Sequence, residues 1–434
     1  LFFFFPIMLG TLFQQLYNTA DAVVVGRFVG TRALAAVGGS TGQMVNLIVG
    51  FFVGLSSGAT VIIARYYGAK NKKDLNDTLH TAAALSVAGG ILITIAGILF
   101  TPSMLKIMKT PADVMADSAT YLRIYFGGII FVFIYNVGSA ILRAVGDSTR
   151  PLYFLIVCCF INIFLDVLLV VGFNMGVAGA AIATVVSQAV SAVLVIWALL
   201  KSTDMYCLHP KEIRFHKFLL VSIITIGLPA GIQSVMYNLA NMIIQTSLND
   251  LGTSTMAAYT AFGKIDAIYW MISGAFSVSI TTFIGQNYGA QKYDRMKKSV
   301  KICLFMDFLA SILVSALLLF FGEYLLRLFT TDPEVLKVGM KIIHIIAPSY
   351  VLFIFIEILS STLRGIGNVL VPMLMTCGGV CILRIIWIFF VVPHRPGVSN
   401  ILLCYPISWG LTAVLFILYY YTQQKKFFHA HQQI

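Results

Sequence analysis

The chain has 434 residues, of which 59% are hydrophobic and only 11% are charged, and its mean hydropathy is +0.91. Soluble domains carry about 25% charged residues, so this composition excludes an ordinary soluble enzyme or binding module and indicates a membrane protein. The net charge of +12 could suggest nucleic acid as a partner. The cations fall between apolar runs, however, as they do in membrane-protein loops, so we expect no nucleic-acid binding.

Twelve apolar runs are long enough to cross a hydrocarbon core, which takes about 20 helical residues. The predicted spans are 2–25, 34–63, 78–100, 117–142, 152–173, 177–200, 218–248, 255–284, 299–321, 338–363, 370–392 and 400–422. Proline inside such a run indicates a bend, and we predict bends at Pro6, Pro229 and Pro348. Pro6 is the predicted hinge of the first helix, and a kink that is tolerated without movement is an equal alternative there.

The second half of the chain repeats the first. Several short motifs return in the same order after 220 to 222 residues. They are Tyr17-Asn18 at Tyr237-Asn238, Gly30-Thr31 at Gly252-Thr253, Tyr67-Gly68-Ala69 at Tyr288-Gly289-Ala290, and Leu142-Arg143 at Leu363-Arg364. Secondary transporters are commonly built from internal repeats of apolar helices, so the sequence favours membrane transport.

The repeat predicts an all-α integral membrane protein with twelve transmembrane helices. They form two six-helix lobes related by a pseudo-twofold axis along the membrane normal, because an even number of helices gives both lobes the same orientation. The predicted domains are an N-lobe at 1–200, an inter-lobe linker at 201–217, a C-lobe at 218–422 and a tail at 423–434.

Lys and Arg are concentrated in one set of loops, which includes the linker and the tail. The positive-inside rule then places the linker and both termini in the cytoplasm. We expect a multi-pass protein of the cell inner (plasma) membrane that contacts the lipid bilayer as a monomer.

Seven cysteines carry no metal or disulfide signal. Six of them lie inside or beside apolar runs, where cysteine acts as a small apolar residue. They are Cys158, Cys159, Cys303, Cys377, Cys381 and Cys404. We expect no cofactor.

Four polar residues of the N-lobe lie at a similar membrane depth. Asp21 lies late in the first helix, Asn162 and Asp166 lie one turn apart in the fifth, and Thr184 lies early in the sixth. A rise of about 1.5 Å per residue puts these helices' polar positions roughly 8–10 Å below the outer surface. Charges at that depth are costly and usually functional, and such oxygens suit a proton or a hard cation such as Na⁺. The alternative is that Asp21 and Asp166 each cap or pair with local polar groups separately.

The C-lobe lacks this set. Asn238-x-x-Asn241 stands in place of Asn18-x-x-Asp21, and no acid falls at the position of Asp166. Instead Lys264 and Asp266 lie in the eighth predicted helix, and they need different partners because residues two apart do not face each other. Glu357, in the tenth, is compatible with pairing to Lys264, with another structural ion pair, or with attracting a cationic substrate. Arg123, Arg384 and His344 are expected to snorkel or to pack within a lobe.

A substrate cavity is predicted between or within the lobes, lined by polar residues of both. Its predicted residues are Gln14, Tyr17, Asn18, Gln233, Tyr237, Asn238, Lys264, Asp266 and Glu357. A membrane-embedded enzyme would need a His or Cys cluster, or a nucleophile with a paired base, at one depth. The seven histidines are scattered and supply no such cluster, so we expect no enzyme.

Over essentially its whole length the chain resembles the multidrug and toxic compound extrusion (MATE) transporters. The motifs are Gln-Gln-Leu-Tyr-Asn-x-x-Asp in the first helix, Leu-Arg-x-x-Gly-Asp after the fourth and Gly-Gln-Asn-Tyr-Gly-Ala after the eighth. Within the family the chain looks like the bacterial exporters of the DNA-damage-inducible F branch. The resemblance places that branch's coupling residues at Asp21, Asn162, Asp166 and Thr184, and its bending proline at Pro6.

The resemblance implies an antiporter that exports amphipathic, often cationic compounds while H⁺ or Na⁺ moves inward. Na⁺, at the four N-lobe residues, is then the only metal ion expected. Another branch carries a seventh-helix glutamate, where this chain has Gln233, Tyr237, Asn238 and Asn241, so no coupling site of that kind is expected in the C-lobe. The alternative is a lipid-intermediate flippase of the same superfamily, which favours a strongly cationic cavity, whereas the predicted cavity is acidic or amide apart from Lys264.

Glu357 is open to a direct test, because its counterpart in the first lobe is Asn136 and the shared fold does not require an acid there. We expect Glu357→Gln to reduce export of cationic dyes more than export of neutral dyes, since only the former gain from a carboxylate. Efflux of matched cationic and neutral dyes measures this. An equal loss for both, together with poor expression, would indicate a structural pair with Lys264.

Overall fold

The computed structural model describes residues 2–108, 110–202 and 204–429, without the side chains of Thr31, Ser40 and 423–429. All regular elements in these ranges are helical, as predicted. The α-helices are α1 Phe4–Phe28, α2 Thr31–Gly38, α3 Ser40–Gly68, α4 Lys72–Ile107, α5 Met115–Gly127, α6 Ile129–Ala144, α7 Thr149–Asp166, α8 Gly176–Leu200, α9 Lys217–Asn249, α10 Thr253–Gly289, α11 Tyr293–Arg327, α12 Pro333–Ile346, α13 Tyr350–Gly365, α14 Leu370–Thr376, α15 Leu383–Ile386, α16 Val398–Leu402 and α17 Cys404–His429. Turns of π-helix lie at Val167–Gly172, Cys377–Ile382 and Trp387–Val391.

Each predicted span coincides with helix, but several spans are broken. The break predicted at Pro348 is confirmed as a 3₁₀ turn, Ala347–Ser349, between α12 and α13. The chain also bends by 48° between α5 and α6 at Gly128, which the sequence did not indicate. A Cβ atom at Gly128 would collide with the side chain of Val185, so the bend accompanies a close helix approach. Pro229, in contrast, lies inside the uninterrupted α9.

Many large apolar side chains face outward on these helices. Phe320 and Phe389, for example, are 79% and 63% exposed. In the described ranges ten helical segments are long and apolar enough to cross a membrane, or eleven if α5 and α6 form one span. The polar helix α1, which carries Gln14, Gln15 and Asp21, is not among them. The chain is therefore a multi-pass membrane protein whose first helix is its least apolar long one.

The chain divides into two compact units, Leu1–Gly231 and Ile232–Ile434. In the first unit α1 packs on α7, α7 on α8, and α6 on both α4 and α8. In the second unit α10 packs on α11 and α13, and α13 packs on α17. The division falls inside α9, whereas the sequence places the start of the C-lobe at the beginning of that helix.

Close backbone contact explains why the first part of α9 belongs to the first unit. A Cβ atom on Gly54 of α3 would lie 2.5 Å from the backbone nitrogen of Gly231. Two helices approach this closely only where neither carries a side chain, which is the small-residue packing common in membrane bundles.

The predicted linker is attached to α4. The ring Nε2 of His80 accepts a hydrogen bond of 2.9 Å from the backbone N–H of His209. Asn76 donates a side-chain hydrogen bond of 3.0 Å to Glu212. These contacts hold residues between α8 and α9 against the first unit.

Substitution at Gly54 tests the close packing of α3 and α9. Gly54→Ala should lower the free energy of unfolding by about 1–3 kcal/mol, because the added methyl meets backbone that cannot rotate away. Gly274→Ala in α10 is a matched control, since a Cβ atom there meets nothing within 4 Å. Thermal unfolding in detergent compares the two variants. Equal stability of both would contradict the close approach.

Candidate functional site

Three helices of the first unit bring the four predicted coupling residues into one cluster, the N-unit cluster of Asp21, Asn162, Asp166 and Thr184. Asn162 and Asp166 share a face of α7 because they are one turn apart. Asp21 of α1 lies beside both of them, and Thr184 approaches from α8. The packing of α1 and α8 on opposite parts of α7 thus assembles the site.

The cluster is removed from solvent. Asn162 and Asp166 are fully buried, and Asp21 and Thr184 are 6% and 5% exposed. The hydroxyl of Thr184 lies 3.2 Å from Oδ2 of Asp21 and 3.0 Å from the carbonyl oxygen of Ala180. Its single hydrogen can serve only one of these acceptors fully, so the bond to Asp21 competes with the helix backbone.

Most polar atoms of the N-unit cluster lack a hydrogen-bond partner. Oδ1 of Asp21, both carboxyl oxygens of Asp166 and both polar atoms of the Asn162 amide make no hydrogen bond to any residue that the structure describes. Buried polar groups are normally paired, because an unpaired one costs roughly 1–3 kcal/mol. Five unpaired atoms in one place therefore indicate a position built for something besides protein.

Electrostatics narrows what that something is. The carboxyl groups of Asp21 and Asp166 are close enough to interact directly. Two uncompensated negative charges in an apolar interior are strongly unfavourable, so the pair needs a positive charge or a proton. Carboxylate, amide and hydroxyl oxygens are also ligands that hard cations accept. The N-unit cluster can therefore hold H⁺ or Na⁺.

Sequence reasoning missed residues that support the cluster. Nε2 of Gln188 donates a 3.1 Å hydrogen bond to the hydroxyl of the buried Tyr17. Tyr121 of α5, also buried, lies against Asp21 and Thr184. Gln188 was within reach of the sequence, since it stands one turn after Thr184. Tyr121 had no local signal, because only tertiary packing brings α5 to the site.

The predicted hinge residue, Pro6, lies in the first turn of α1, which begins at Phe4. Backbone N–H groups of a first turn have no acceptor within their own helix. The lost hydrogen bond that would favour bending is therefore not lost in the helix as described. A hinge at Pro6 stays a prediction.

The remaining predicted residues of the first unit lie on different faces of α1. Gln14 is half-buried and Asn18 is exposed, whereas Tyr17 is buried by its contact with Gln188. Tyr17 thus supports the N-unit cluster in addition to its predicted place in the cavity.

In the second unit the predicted cavity residues are spread over three helices. Gln233, Tyr237 and Asn238 are half-buried on α9, Glu357 is half-buried on α13, and Lys264 is exposed on α10. No ion pair joins Lys264 to Glu357 among the side chains that the structure describes. Of the three roles open to Glu357, pairing with Lys264 is therefore not the one seen.

Asp266 has partners of its own, as expected from its spacing to Lys264. It accepts a 2.6 Å hydrogen bond from the indole of Trp270 and another from the hydroxyl of Tyr350. The ring of Tyr350 stacks on Tyr269 at 3.7 Å between centroids. Asp266 thus belongs to an aromatic cluster inside the second unit.

The other intramembrane ionisable residues differ from one another. Arg123 and His344 are exposed, as snorkelling side chains would be, whereas Arg384 is only 2% exposed. All seven cysteines are free, and in the described ranges no three His, Cys, Asp or Glu side chains are grouped so as to hold a metal ion.

Comparison with known proteins matches the whole chain. A model of the MatE family matches it twice, at residues 6–168 and 229–390. The chain is 29% identical to the probable multidrug resistance protein YoeA of Bacillus subtilis (strain 168), over 98% of this chain and 93% of that protein. It is 23% identical to the multidrug export protein MepA of Staphylococcus aureus (strain NCTC 8325 / PS 47), over 96% and 92%.

A solved structure described as the outward-facing conformation of a multidrug resistance MATE family transporter of the MOP superfamily has a TM-score of 0.91 to this chain. The two are 22% identical, and the match covers 98% of this chain and 95% of that one. The likeness confirms the predicted all-helical fold, and the paired family matches confirm the duplication.

Neutralising either acid tests whether the N-unit cluster is one site. Asp21→Asn and Asp166→Asn should each reduce cation binding to background, because each removes half of the charge that attracts the cation. Thr184→Val keeps the side-chain shape but loses the hydroxyl, and should weaken binding about tenfold, the worth of one hydrogen bond. Equilibrium binding of ²²Na⁺ and potentiometric proton uptake by the purified protein measure these effects.

Asp113→Asn, at an exposed position of the same unit, is the control and should bind as the parent protein does. A single Asp21 or Asp166 variant that binds normally would show that the two carboxylates serve separate local roles.

Proposed function

Because the chain belongs to the MatE family, we propose that it is a secondary active multidrug efflux antiporter. It exports amphipathic, often cationic compounds in exchange for H⁺ or Na⁺. The observation that carries the coupling is the N-unit cluster, in which two carboxylates from different helices lie side by side without compensating charge. The names of the relatives YoeA and MepA, multidrug resistance and export proteins, support the substrate class.

The cluster couples its charge to the position of α1. Asp21 belongs to α1, and Asp166 belongs to α7, on which α1 packs. With a cation bound, the carboxylates are drawn together, and without it they repel each other. Cation binding therefore favours one packing of α1 against α7 and cation release favours another.

Exchange follows if the exported compound prefers the packing that the cation disfavours. Two ligands with opposite preferences for two states reduce each other's affinity, and this mutual exclusion is sufficient for antiport. The coupling ion needs no cofactor, since the four side chains supply every ligand or proton acceptor.

The membrane placement is also a proposal. The loops between α3 and α4 and between α10 and α11 carry Lys70, Lys72, Lys73, Lys292, Arg295, Lys297 and Lys298. The positive-inside rule puts these loops, and with them both termini, in the cytoplasm of a plasma-membrane protein. We propose that it acts as a monomer, with lipid around the exposed apolar faces.

Gradients imposed one at a time test the antiport directly. In inverted or reconstituted vesicles, a gradient of the coupling ion directed out of the lumen should drive accumulation of a cationic dye, and the other ion's gradient should not. Asp21→Asn protein in the same vesicles should give no accumulation above empty vesicles. Dye movement that ignores both gradients, or that persists in Asp21→Asn protein, would contradict cation coupling at this cluster.

A further inference from the structure

A buried arginine lies in the second unit with no acid beside it. Arg384, between two π-helical turns, is 2% exposed, and none of the ion pairs in the described part of the chain includes it. Its Nε donates to the hydroxyl of Ser408 at 3.1 Å, and its Nη1 to Oδ1 of Asn241 at 3.4 Å. Nη2 makes no hydrogen bond to any described residue.

Aromatic rings supply the remaining stabilisation of this charge. The guanidinium carbon lies 4.0 Å from the ring centroid of Tyr405 and 5.3 Å from that of Trp409. Cation–π contacts of this kind are strongest where water is excluded. The residues Asn241, Arg384, Tyr405 and Ser408, here called the C-unit cluster, thus hold a cation among neutral groups.

The C-unit cluster occupies the repeat positions of the N-unit cluster. Asn241 follows Asp21 by 220 residues, and Tyr405 and Ser408 follow Thr184 and Ser187 by 221. These offsets are the ones at which the motifs of the two halves match. Three helices of the second unit therefore bring together the counterparts of three that build the coupling site.

Arg384 follows Asn162 by 222 residues, one more than the neighbouring Pro151 and Pro372 are apart. The π-helical turn Cys377–Ile382 explains the additional residue, because its counterpart in the first half, 156–161, is ordinary α-helix within α7. A π-turn accommodates one inserted residue and frequently lies at functional sites. Arg384 thus stands where Asn162 stands in the N-unit cluster.

We propose that the guanidinium of Arg384 takes, in the second unit, the place that the coupling cation takes in the first. It is a covalently attached cation, bound by the amide oxygen of Asn241 where the N-unit cluster offers the carboxylate of Asp21. The C-unit cluster is then permanently loaded, and the transporter has one exchangeable cation site. This inference rests on the proposed coupling at the N-unit cluster.

Paired substitutions test whether the guanidinium fills a cation position. Asn241→Asp alone should bind no additional H⁺ or Na⁺, because Arg384 already neutralises the new carboxylate. Asn241→Asp combined with Arg384→Asn restores the residues of the first unit and should bind one additional cation per protein. ²²Na⁺ binding and potentiometric proton uptake of the purified full chain count the cations. An additional cation in the single variant, or none in the double variant, would overturn the proposal.

Transport distinguishes this role from packing alone. Arg384→Gln should slow dye export about tenfold, in line with the loss of a buried charge and its partners, whereas Arg384→Lys keeps the charge and should retain more activity. In the double variant, export should recover only at high cation concentration, with a steeper dependence on cation than in the parent. Recovery that is independent of cation, or Arg384→Gln protein with unchanged export, would assign Arg384 a packing role.

Two controls separate the possible failures. Arg123→Gln neutralises an exposed intramembrane arginine of the first unit and should leave export unchanged. Size-exclusion profiles and thermal unfolding in detergent show whether each variant folds. Asp21→Asn protein that still couples would contradict the proposed function itself, whereas loss of coupling in Asp21→Asn with no cation gained in the double variant would contradict only the role of Arg384.

Discussion

The arrangement of the first unit depends on one electrostatic constraint, the cost of placing two carboxylates together in an apolar interior. Neither Asp21 nor Asp166 has a basic partner in the ion pairs of the described chain. Burial without compensation would cost several kcal/mol per charge. The surrounding packing of α1, α7 and α8 must therefore provide that compensation through a movable positive charge, and this makes the helix packing sensitive to what the cluster holds.

The sequence was sufficient to find the four residues of the N-unit cluster because their signals are local. Polar residues inside apolar runs stand out, helix rise gives their depth, and the four-residue spacing of Asn162 and Asp166 gives a shared face. Their assembly needed only neighbouring helices, whereas the approach of Tyr121 depends on the 48° bend between α5 and α6. That bend follows from the contact of Gly128 with Val185, which no local pattern encodes.

The spans show the same division between local and tertiary information. Apolar run lengths predicted every helical region, and Pro348 marked a real break because proline acts on its own backbone. Pro229 and Pro6 show the limit of that rule. One lies within an uninterrupted helix and the other in a first turn, where proline removes no helical hydrogen bond. The π-turns had no sequence signal, since an inserted residue is visible only against the register of the other half.

The two halves inherited one scaffold and meet the same constraint with opposite charges. In the first, fixed negative groups require a positive charge from outside the chain. In the second, an amide replaces the aspartate and an arginine brings the positive charge along, with Tyr405 and Trp409 stabilising it through their ring faces. A charge that is covalently attached cannot leave, so only the first cluster can report on an ion gradient. Duplication followed by this exchange of a mobile for a fixed cation is a direct route from two equivalent sites to a single coupling site.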